Sequence, residues 1–484
     1  MKRRQFITSA ASAAMGLVMG CQPRAADSPK PGKRPNVLFI ITDQQHAGMM
    51  SCMGNKWLKT PAVDSLAACG IRFESAYACN PVCAPNRFSI QTGLMPSAVG
   101  MGRNEHAAGV VETDEMMAQT LGRLFQNAGY ETAYGGKVHL PPKMNNVENI
   151  GYRYLTNDKR QGLAETCAKF IKGHHSRPFF LFASFINPHD ICYMAINDFN
   201  RSKGKGPIDN LDSRICEQVL DRARNSGDID AFVKKNCPPL PANHHVPGNE
   251  PQCITEKYTN ERPFRAYARK NWTENQWRLH RWLYCRLTEI VDSQIKTVLD
   301  ALRQAGLEDN TLIVFTSDHG DMDSAHKMEH KSVLYEEALR VPFIMSYKGR
   351  IAKGLVDDTH LVSNGLDVLP TLCDYAGIEP PVGLHGASLR PLAEGKLAKN
   401  WRDFVVFESQ NGRGVRTQRY KYCIYDSGEH REQLIDLKSD PGEMNNLAEL
   451  EDYKQVLEKH RQLLHRWIET TGDKIASEYI DIKT

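Results

Sequence analysis

The sequence predicts an α/β protein with one large, mixed and mostly parallel β-sheet sandwiched by helices, followed by a smaller C-terminal α+β domain. Short apolar runs alternate with helical stretches over most of the chain, which is the rhythm of βαβ units. From about Trp401 the pattern changes to successive strand-like segments joined by turns, and then to one helix. The length of 484 residues, 41% of them hydrophobic, suits one large domain with a smaller one attached.

Four apolar runs predict the strands of the main sheet. They are "NVLFIIT" (36–42), "ETAYGG" (131–136), "PFFLFASFI" (178–186) and "NTLIVFT" (310–316). Continuous apolar runs of this length are typical of strands that are buried on both faces, as in a parallel sheet.

Helices are predicted between these strands. The segment 61–70 begins with proline and ends with glycine, the pattern of a short helix. The segment 116–130 predicts one amphipathic helix, 162–173 predicts a further helix, and 271–306 predicts a long helix closed by Gly306.

The domain boundaries follow changes in composition. We expect residues 1–30 to be a leader and linker, 31–389 to form the large α/β domain, and 390–484 to form the C-terminal α+β subdomain. Residues 190–275 break the rhythm, because they are polar and rich in Pro, Asn and Lys. So long an irregular segment is more often functional than idle, and we expect an insertion near the mouth of the site.

The first residues read as an export signal. A basic start is followed by an apolar stretch and then by Cys21. Arg3–Arg4 followed by Gln5-Phe6 resembles a twin-arginine signal, and "LVMGC" resembles a lipoprotein cleavage site with Cys21 acylated. A plain signal peptide cut nearby is the alternative. We expect an exported protein, periplasmic or held at the membrane only by a lipid on Cys21.

Charge and cysteine content exclude several classes. Three charges of the formal net charge of +4 come from Lys2, Arg3 and Arg4, so the remaining chain is nearly neutral and no nucleic-acid partner is expected. The thirteen cysteines are scattered, without C-x-x-C pairs. The chain is therefore neither a small disulfide scaffold nor a zinc ribbon.

Polar side chains follow each of the four predicted strands. In chain order they are Asp43 and Gln44, Lys137 and His139, His189, and Asp318 and His319. Ligands of open parallel sheets bind beyond the carboxyl ends of the strands, so these residues are predicted to share one site.

The same residues offer ligands for a metal ion. Asp43, Gln44 and Asp318 supply oxygens and His319 an imidazole, a set that suits a divalent cation. The oxygens favour calcium, and the imidazole makes manganese or zinc possible, with magnesium as a further alternative. Asp43 could equally cap a helix.

The stretch "CNPVCAPNRFSIQTG" (79–93) places Cys83 at the mouth of a predicted helix, with Arg87 one turn further in. Three interpretations compete on these residues alone. Cys79 and Cys83 could form a disulfide or part of a metal site, Cys83 could be a thiol nucleophile, or Cys83 could be the precursor of another group.

The segment "CAPNR" (83–87) resembles the C-x-P-S-R signature of the type I formylglycine-dependent sulfatases, in the alkaline phosphatase superfamily. Further motifs follow in that family's order and spacing, from "NVLFIITDQQ", "GGKVHL" and "NPHD" to "TSDHGD", "KSVLYEEALRVPF" and "LIDLKSDPGEMNNLA". The resemblance covers nearly the whole chain after the leader and implies an alkaline-phosphatase-like fold.

The resemblance implies that Cys83 is converted to formylglycine, whose hydrate attacks the sulfur of a sulfate ester and later releases sulfate. It implies catalytic roles for Cys83, Arg87, Lys137, His139, His189 and Lys331. It implies metal ligation by Asp43, Gln44, Cys83, Asp318 and His319. Asn104, Lys137, His189 and Lys331 are implied to bind the substrate. Two residues depart from the family pattern, because Asn86 replaces a serine and Gln44 replaces the commoner aspartate.

We therefore expect a sulfuric ester hydrolase that acts on a sulfated carbohydrate or another small sulfate ester. Its expected cofactors are a divalent metal, calcium first, and the formylglycine made from Cys83 by a maturation enzyme. One alternative is a phosphodiester or phosphonate monoester hydrolase on the same scaffold. The other is an inactive carbohydrate-binding relative with an unconverted Cys83.

Overall fold

The protein is described here by a computed structural model that covers residues 34–396, 398 and 400–480. The expected leader, with Arg3, Arg4 and Cys21, lies outside the described residues, so its processing stays a prediction. Within the described ranges, no helix combines the length and the apolar character that crossing a membrane requires.

Eight strands form one large sheet. The strands of the structure are β1 (Asn36–Asp43), β2 (Ile71–Phe73), β3 (Ala76–Tyr77), β4 (Glu131–Gly136), β5 (Arg153–Thr156), β6 (Phe179–Pro188), β7 (Thr311–Ser317), β8 (Phe343–Ser346), β9 (Leu355–Asp357), β10 (Val362–Ser363), β11 (Phe404–Glu408), β12 (Gly412–Thr417), β13 (Tyr420–Tyr425) and β14 (Glu432–Asp436). The order in the large sheet is β5-β4-β6-β1-β7-β8-β2-β9. The first five run parallel, whereas β8 is antiparallel to both of its neighbours. The predicted large, mixed and mostly parallel sheet is confirmed.

Helices cover both faces of this sheet. The helices of the structure are α1 (Pro61–Ala68), α2 (Cys83–Thr92), α3 (Asp114–Ala118), α4 (Leu121–Asn127), α5 (Pro142–Asn145), α6 (Gln161–Ile171), α7 (Cys192–Ser202), α8 (Leu211–Arg224), α9 (Ile229–Asn236), α10 (Pro263–Asn271), α11 (Glu274–Gln304), α12 (Glu336–Leu339), α13 (Asn364–Ala376), α14 (Arg390–Ala393) and α15 (Lys454–Thr471). Helices α1, α6 and α11 pack on one face, and α2, α4 and α13 pack on the other.

The central strand β1 shows why these strands read as continuous apolar runs. Val37, Phe39 and Ile41 point into the core on the face of α2 and α13. Leu38 and Ile40 point into the core on the face of α1, α6 and α11. Successive side chains of a strand alternate between the two faces, so burial on both faces leaves few positions for polar residues before the strand ends.

The single helix predicted over 116–130 is wrong, because the structure has two short helices, α3 and α4. Thr120 has extended backbone angles between them. Its hydroxyl donates to the carbonyl of Met117 at 2.9 Å, a side-chain bond that competes with helix continuation.

The expected irregular character of 190–275 is also wrong, because α7, α8, α9 and α10 occupy much of that segment. Cys216, Val219, Leu220 and Ala223 are buried at helical spacing on α8. They pack with residues of α11 in a separate apolar cluster that contains three tryptophans. The polar composition of residues 190–275 obscured this helical spacing of apolar residues in the sequence.

The C-terminal part contains the predicted strands and helix. Strands β11 to β14 form a four-stranded antiparallel sheet in sequence order. Leu457, Leu464 and Ile468 of α15 pack in the same apolar cluster as residues of this sheet. The predicted smaller α+β unit is confirmed, while the boundary at residue 390 stays a prediction.

Candidate active site

The predicted site residues meet at the carboxyl ends of four neighbouring strands. Strands β4, β6, β1 and β7 are consecutive in the sheet, and all four run in the same direction. They are followed by Lys137, by His189 and by the pair Asp318 and His319, while Asp43 is the last residue of β1. The expectation drawn from the geometry of parallel sheets is therefore met in the structure.

Helix α2 brings Cys83 to this edge of the sheet. Cys83 is its first residue, and all ten residues of the helix are buried. The residue before it, Val82, supplies no side-chain cap. Asn104 replaces that cap from a distant segment, since its side-chain oxygen accepts a hydrogen bond from the backbone N–H of Ala84 at 3.0 Å.

The thiol of Cys83 lies among charged and polar groups. Its sulfur is 3.1 Å from Nε2 of His319 and 3.2 Å from Nζ of Lys331. Burial and the neighbouring Asp43 oppose ionisation of this thiol, but the cations Lys137 and Lys331 outweigh them and lower its pKa well below the usual range. Cys79 and Cys83 are both free, which removes the disulfide interpretation.

Arg87 ties the helix to both central strands. Its Nε donates to Asp318 at 2.8 Å, and Nη2 donates to Asp43 at 3.0 Å. Nη1 donates to the hydroxyl of Ser184 on β6 at 2.8 Å. The guanidinium fork therefore fixes two carboxylates at once, which is the geometry that favours arginine over lysine.

Lys137 places a second cation, beside Arg87, against the carboxylate of Asp43. Its Nζ lies 2.6 Å from Oδ2 of Asp43. Oδ1 of Asp43, the other oxygen, faces the sulfur of Cys83 at 3.6 Å. One oxygen of Asp43 is thus held by cations, while the other is directed into the site.

Four side chains can converge on one metal ion. Asp43, Cys83, Asp318 and His319 each offer one ligand atom, and these atoms lie within 4.8 Å of one another. Nδ1 of His319 lies 2.8 Å from the carbonyl of Gly320. Donation of its proton there leaves Nε2 free to act as a ligand. Two buried carboxylates and an imidazole fit a divalent cation.

The charges of the two carboxylates support this fit. Burial raises the pKa of Asp318 to about 6, and the negative charge of Asp43 contributes to the rise. Burial also opposes ionisation of Asp43, but Lys137, His189 and Arg87 lower its pKa well below the usual range. A divalent cation between them would favour the ionised form of both groups.

The side chain of Gln44 lies at the site and forms hydrogen bonds with other residues there. Its amide oxygen accepts a hydrogen bond from Lys331 at 2.6 Å, and its amide nitrogen donates to Asp321 at 2.7 Å. The backbone N–H of Gln44 donates to Asp318 at 3.0 Å. Gln44 thus orients Lys331, and its ligation of a metal stays a prediction.

Two histidines of the site have unsatisfied nitrogens. Nδ1 of His139 and Nδ1 of His189 are buried, and neither has a hydrogen-bond partner within the described part of the chain. Burial, Lys137 and Lys331 all lower the pKa of His189. Buried polar atoms normally have partners, so these nitrogens suit a ligand.

A small cavity of about 90 Å³ adjoins the site at Lys331. It is lined by Val82, Gly102, Arg103, Asn104, Glu105, Lys257, Tyr258, Glu261, Arg262, Arg265, Lys331, Ser332, Gln410 and Asn411. Its walls thus come from the segment after α2, from residues 257–265, and from the turn between β11 and β12. We refer to it as the mouth pocket.

Sequence reasoning missed Ser184 and did not reveal the structural role of Asn86. Ser184 binds Arg87 from inside a continuous apolar strand, where nothing marks it. Asn86 is fully buried, and its amide nitrogen donates to the side chain of Asn364 at 3.0 Å. Its oxygen accepts from the backbone N–H of Cys79 at 2.9 Å. Asn86 therefore fastens the signature segment to the core.

The metal site yields one prediction. Asp318→Asn should raise the dissociation constant for the cation at least about tenfold. Loss of a direct ligand should weaken metal binding at least as much as loss of a residue that only orients a ligand. Calorimetric titration of metal-free protein measures this constant, and elemental analysis should find about one divalent ion per wild-type chain. Asp323→Asn is the matched control, since Asp323 is buried in the same loop but bonds Arg281. Unchanged affinity in Asp318→Asn would contradict the assignment.

Comparison with known proteins gives consistent results. The model of the sulfatase family matches residues 35–378. A second family model, described as N-sulphoglucosamine sulphohydrolase, C-terminal, matches residues 324–470.

Similar curated proteins align along almost their whole length. A Delta 4,5-hexuronate-2-O-sulfatase of Bacteroides thetaiotaomicron is 30% identical, with 93% of this chain and 92% of the relative covered. An arylsulfatase of Clostridium perfringens is also 30% identical, with coverage of 92% and 98%. The solved structure of a 2-O GAG sulfatase superimposes with a TM-score of 0.72 at 28% identity, covering 92% of this chain and 94% of that one.

Proposed function

The chain belongs to the sulfatase family and is a sulfuric ester hydrolase, and from this premise we propose that it removes sulfate from a sulfated carbohydrate with Cys83 converted to formylglycine. The observation that carries the proposal is the position of Cys83, buried at the mouth of α2 between Lys331, His319 and Asp43. Sulfated sugars are named for two relatives, a hexuronate-2-O-sulfatase and an N-acetylglucosamine-6-O-sulfatase.

The surroundings of Cys83 fit a formylglycine better than a thiol. A thiol sulfur is a weak hydrogen-bond partner, yet the sulfur of Cys83 faces an ammonium group, an imidazole and a carboxylate. Such groups suit the two hydroxyls of a hydrated aldehyde. When present, the formylglycine supplies that hydrate as the nucleophile, and the divalent cation lowers the pKa of one hydroxyl.

We assign the cation to Asp43, Asp318, His319 and position 83, with Gln44 as a further ligand. Calcium is the proposed ion, because the two carboxylates, the amide oxygen of Gln44 and a hydrated formylglycine would make oxygen the main donor atom. Manganese, magnesium or zinc remain the alternatives that elemental analysis would identify. Arg87 holds both carboxylates in place from the opposite side.

The cationic side chains are assigned to the sulfate group. Lys331 and Lys137 both lie near Cys83, where they can bind sulfate oxygens and stabilise charge that develops in the transition state. His139 is assigned to the formylglycine and the sulfate. His189 is assigned to the leaving alcohol oxygen, and bound sulfate would favour the protonated imidazole that a general acid needs.

We also propose that the enzyme works outside the cytoplasm. The support is the Arg3–Arg4 pair, the apolar stretch after it and Cys21 as a lipid-attachment residue. The partners proposed are a sulfated carbohydrate and the maturation enzyme that converts Cys83.

Parallel assays test the proposed function. Protein co-expressed with a formylglycine-generating enzyme should release sulfate from an aryl sulfate and from sulfated sugars faster than phosphate from an aryl phosphate or phosphonate ester. Ion chromatography of both products gives the two rates with one preparation. Faster phosphate or phosphonate ester hydrolysis would favour the phosphonate hydrolase alternative, and no hydrolysis of any ester would favour the inactive relative.

A further inference from the structure

The mouth pocket carries an excess of positive charge beside the sulfate-binding residues. Five of its lining residues are cationic and two are acidic, which leaves an excess of three positive charges. The cations are Arg103, Lys257, Arg262, Arg265 and Lys331, and the acids are Glu105 and Glu261. Lys331 joins the pocket to the site, because its Nζ lies 3.2 Å from the sulfur of Cys83.

Three of these cations are neutralised within the protein. Arg103 pairs with Glu261 at 3.1 Å, and Arg262 pairs with Glu105 at 2.6 Å. Lys257 pairs with Asp426, outside the pocket lining, at 2.8 Å. Pairs of this kind leave little net charge available for a ligand.

Arg265 differs from them. Among the described residues, no carboxylate lies within ion-pairing distance of its guanidinium, and Nη1 donates to the backbone carbonyl of Tyr258 at 2.9 Å. Its Nε is buried without a hydrogen-bond partner in the described ranges. Burial also lowers the pKa of Arg265, and the nearby charge of Glu329, a carboxylate that pairs with His330 at 2.8 Å, offsets this effect only in part.

The local backbone holds Arg265 in this position. It lies in the first turn of α10, which begins at Pro263. The carbonyl that it binds belongs to Tyr258, in a π-helical turn formed by Ile254–Thr259. Turns of this kind are rare and occur often at functional sites. The remaining donors of the guanidinium form a fork that matches a carboxylate or a sulfate.

We propose that Arg265 is a specificity residue that binds a second anionic group of the substrate, a carboxylate or a further sulfate, next to the ester being cleaved. This inference rests on the proposed function, since it takes the ester to lie at Cys83. It deepens that function by defining the substrate class as sugars with at least two anionic groups.

Paired substrates test the proposal with mature enzyme. One pair compares a 2-O-sulfated hexuronate with the 2-O-sulfated neutral hexose, and the other compares glucosamine 2-N,6-O-disulfate with glucosamine 6-O-sulfate. In each pair the first sugar carries the additional anion, a carboxylate or a sulfate respectively. The wild-type ratio of kcat/KM within a pair should favour the doubly charged sugar, and the pair with the larger ratio identifies the anion.

Arg265→Gln should reduce this ratio by about tenfold to a hundredfold, because a hydrogen bond between charged groups is lost. Arg265→Lys, which keeps the charge without the fork, should give an intermediate ratio. Arg262→Gln is the matched control on the same pocket wall and should keep the ratio, because Arg262 is paired with Glu105. Equal losses for both sugars in Arg265→Gln, or a wild-type ratio near one in both pairs, would overturn the proposal.

A binding measurement separates this proposal from the proposed function. Calorimetry with Cys83→Ala protein in calcium buffer reports affinity for the same four sugars without turnover. Tighter binding of the doubly charged sugars, lost on adding Arg265→Gln, supports the role of Arg265 even if no ester is hydrolysed. Equal affinity within both pairs would overturn it even if the enzyme is an active sulfatase.

Discussion

Cys83→Ala is expected to abolish sulfate ester hydrolysis while the protein stays folded. Alanine cannot become formylglycine, so the nucleophile and the second hydroxyl that releases sulfate are both lost. Removing the nucleophile from a catalytic unit costs about 10⁶ in kcat in a serine protease, where the residual rate comes from the oxyanion hole and substrate binding. Sulfate release by ion chromatography measures turnover, and thermal unfolding followed by circular dichroism reports the fold.

Cys79→Ala is the matched control for this variant. Cys79 is also a buried free cysteine of the signature segment, but its sulfur contacts the hydroxyl of Ser363 at 3.3 Å, away from the charged cluster. It should retain activity. Mass spectrometry of the wild-type peptide 79–93 should show an aldehyde that hydrazine reagents trap. An active preparation with Cys83 entirely as a thiol would contradict the mechanism.

Lys331→Ala is expected to lower kcat by about two to three orders of magnitude, as losses of one preorganised group at a developing anion typically do. Lys331 is nearly buried, and its Nζ bonds Gln44 and faces Cys83. The loss should fall on kcat more than on KM, since the charge on the sulfate oxygens grows in the transition state. Steady-state kinetics on an aryl sulfate give both parameters.

Lys257→Ala serves as the control for this second variant. Lys257 lines the same pocket but pairs with Asp426 and makes no contact with the cluster around Cys83. Its removal should change kcat far less than Lys331→Ala does. Near wild-type turnover in Lys331→Ala, with its fold intact, would be incompatible with the role assigned to this lysine.

The strand ends were the most predictable part of this protein. A strand buried on both faces is mostly apolar, so the polar residues at its end are conspicuous in the sequence. Asp43, Lys137, His189 and Asp318 could be identified in this way, and their convergence follows from the parallel order of the strands. These inferences needed only hydrophobic pattern and sheet geometry.

Other site residues could not be found from pattern alone. Arg87 and Lys331 were identified through resemblance to the sulfatases, because nothing in local spacing tells a buried catalytic cation from a surface one. Arg265 lies in a polar segment where most arginines are solvated, and only the missing carboxylate partner distinguishes it. That property depends on the tertiary arrangement.

One role of Asn104 was predictable from the sequence, and the other is revealed only by the structure. The resemblance implied that it lines the substrate pocket, and it lies in the wall of the mouth pocket. The structure adds that its side chain caps α2 at Ala84, a contact across twenty residues that local capping rules do not reveal. One residue therefore supports both the helix that carries Cys83 and the pocket beside it.

The complete burial of α2 has a consequence for when Cys83 can be modified. Every residue from Cys83 to Thr92 is buried, and Asn86 fastens the segment to Cys79 and Asn364. Once these contacts have formed, the backbone of α2 is not accessible for binding by a maturation enzyme. The conversion of Cys83 that we propose is therefore expected to precede folding, while the newly made chain is still extended. A molecule that folds first is expected to keep an unconverted Cys83 and therefore to be inactive.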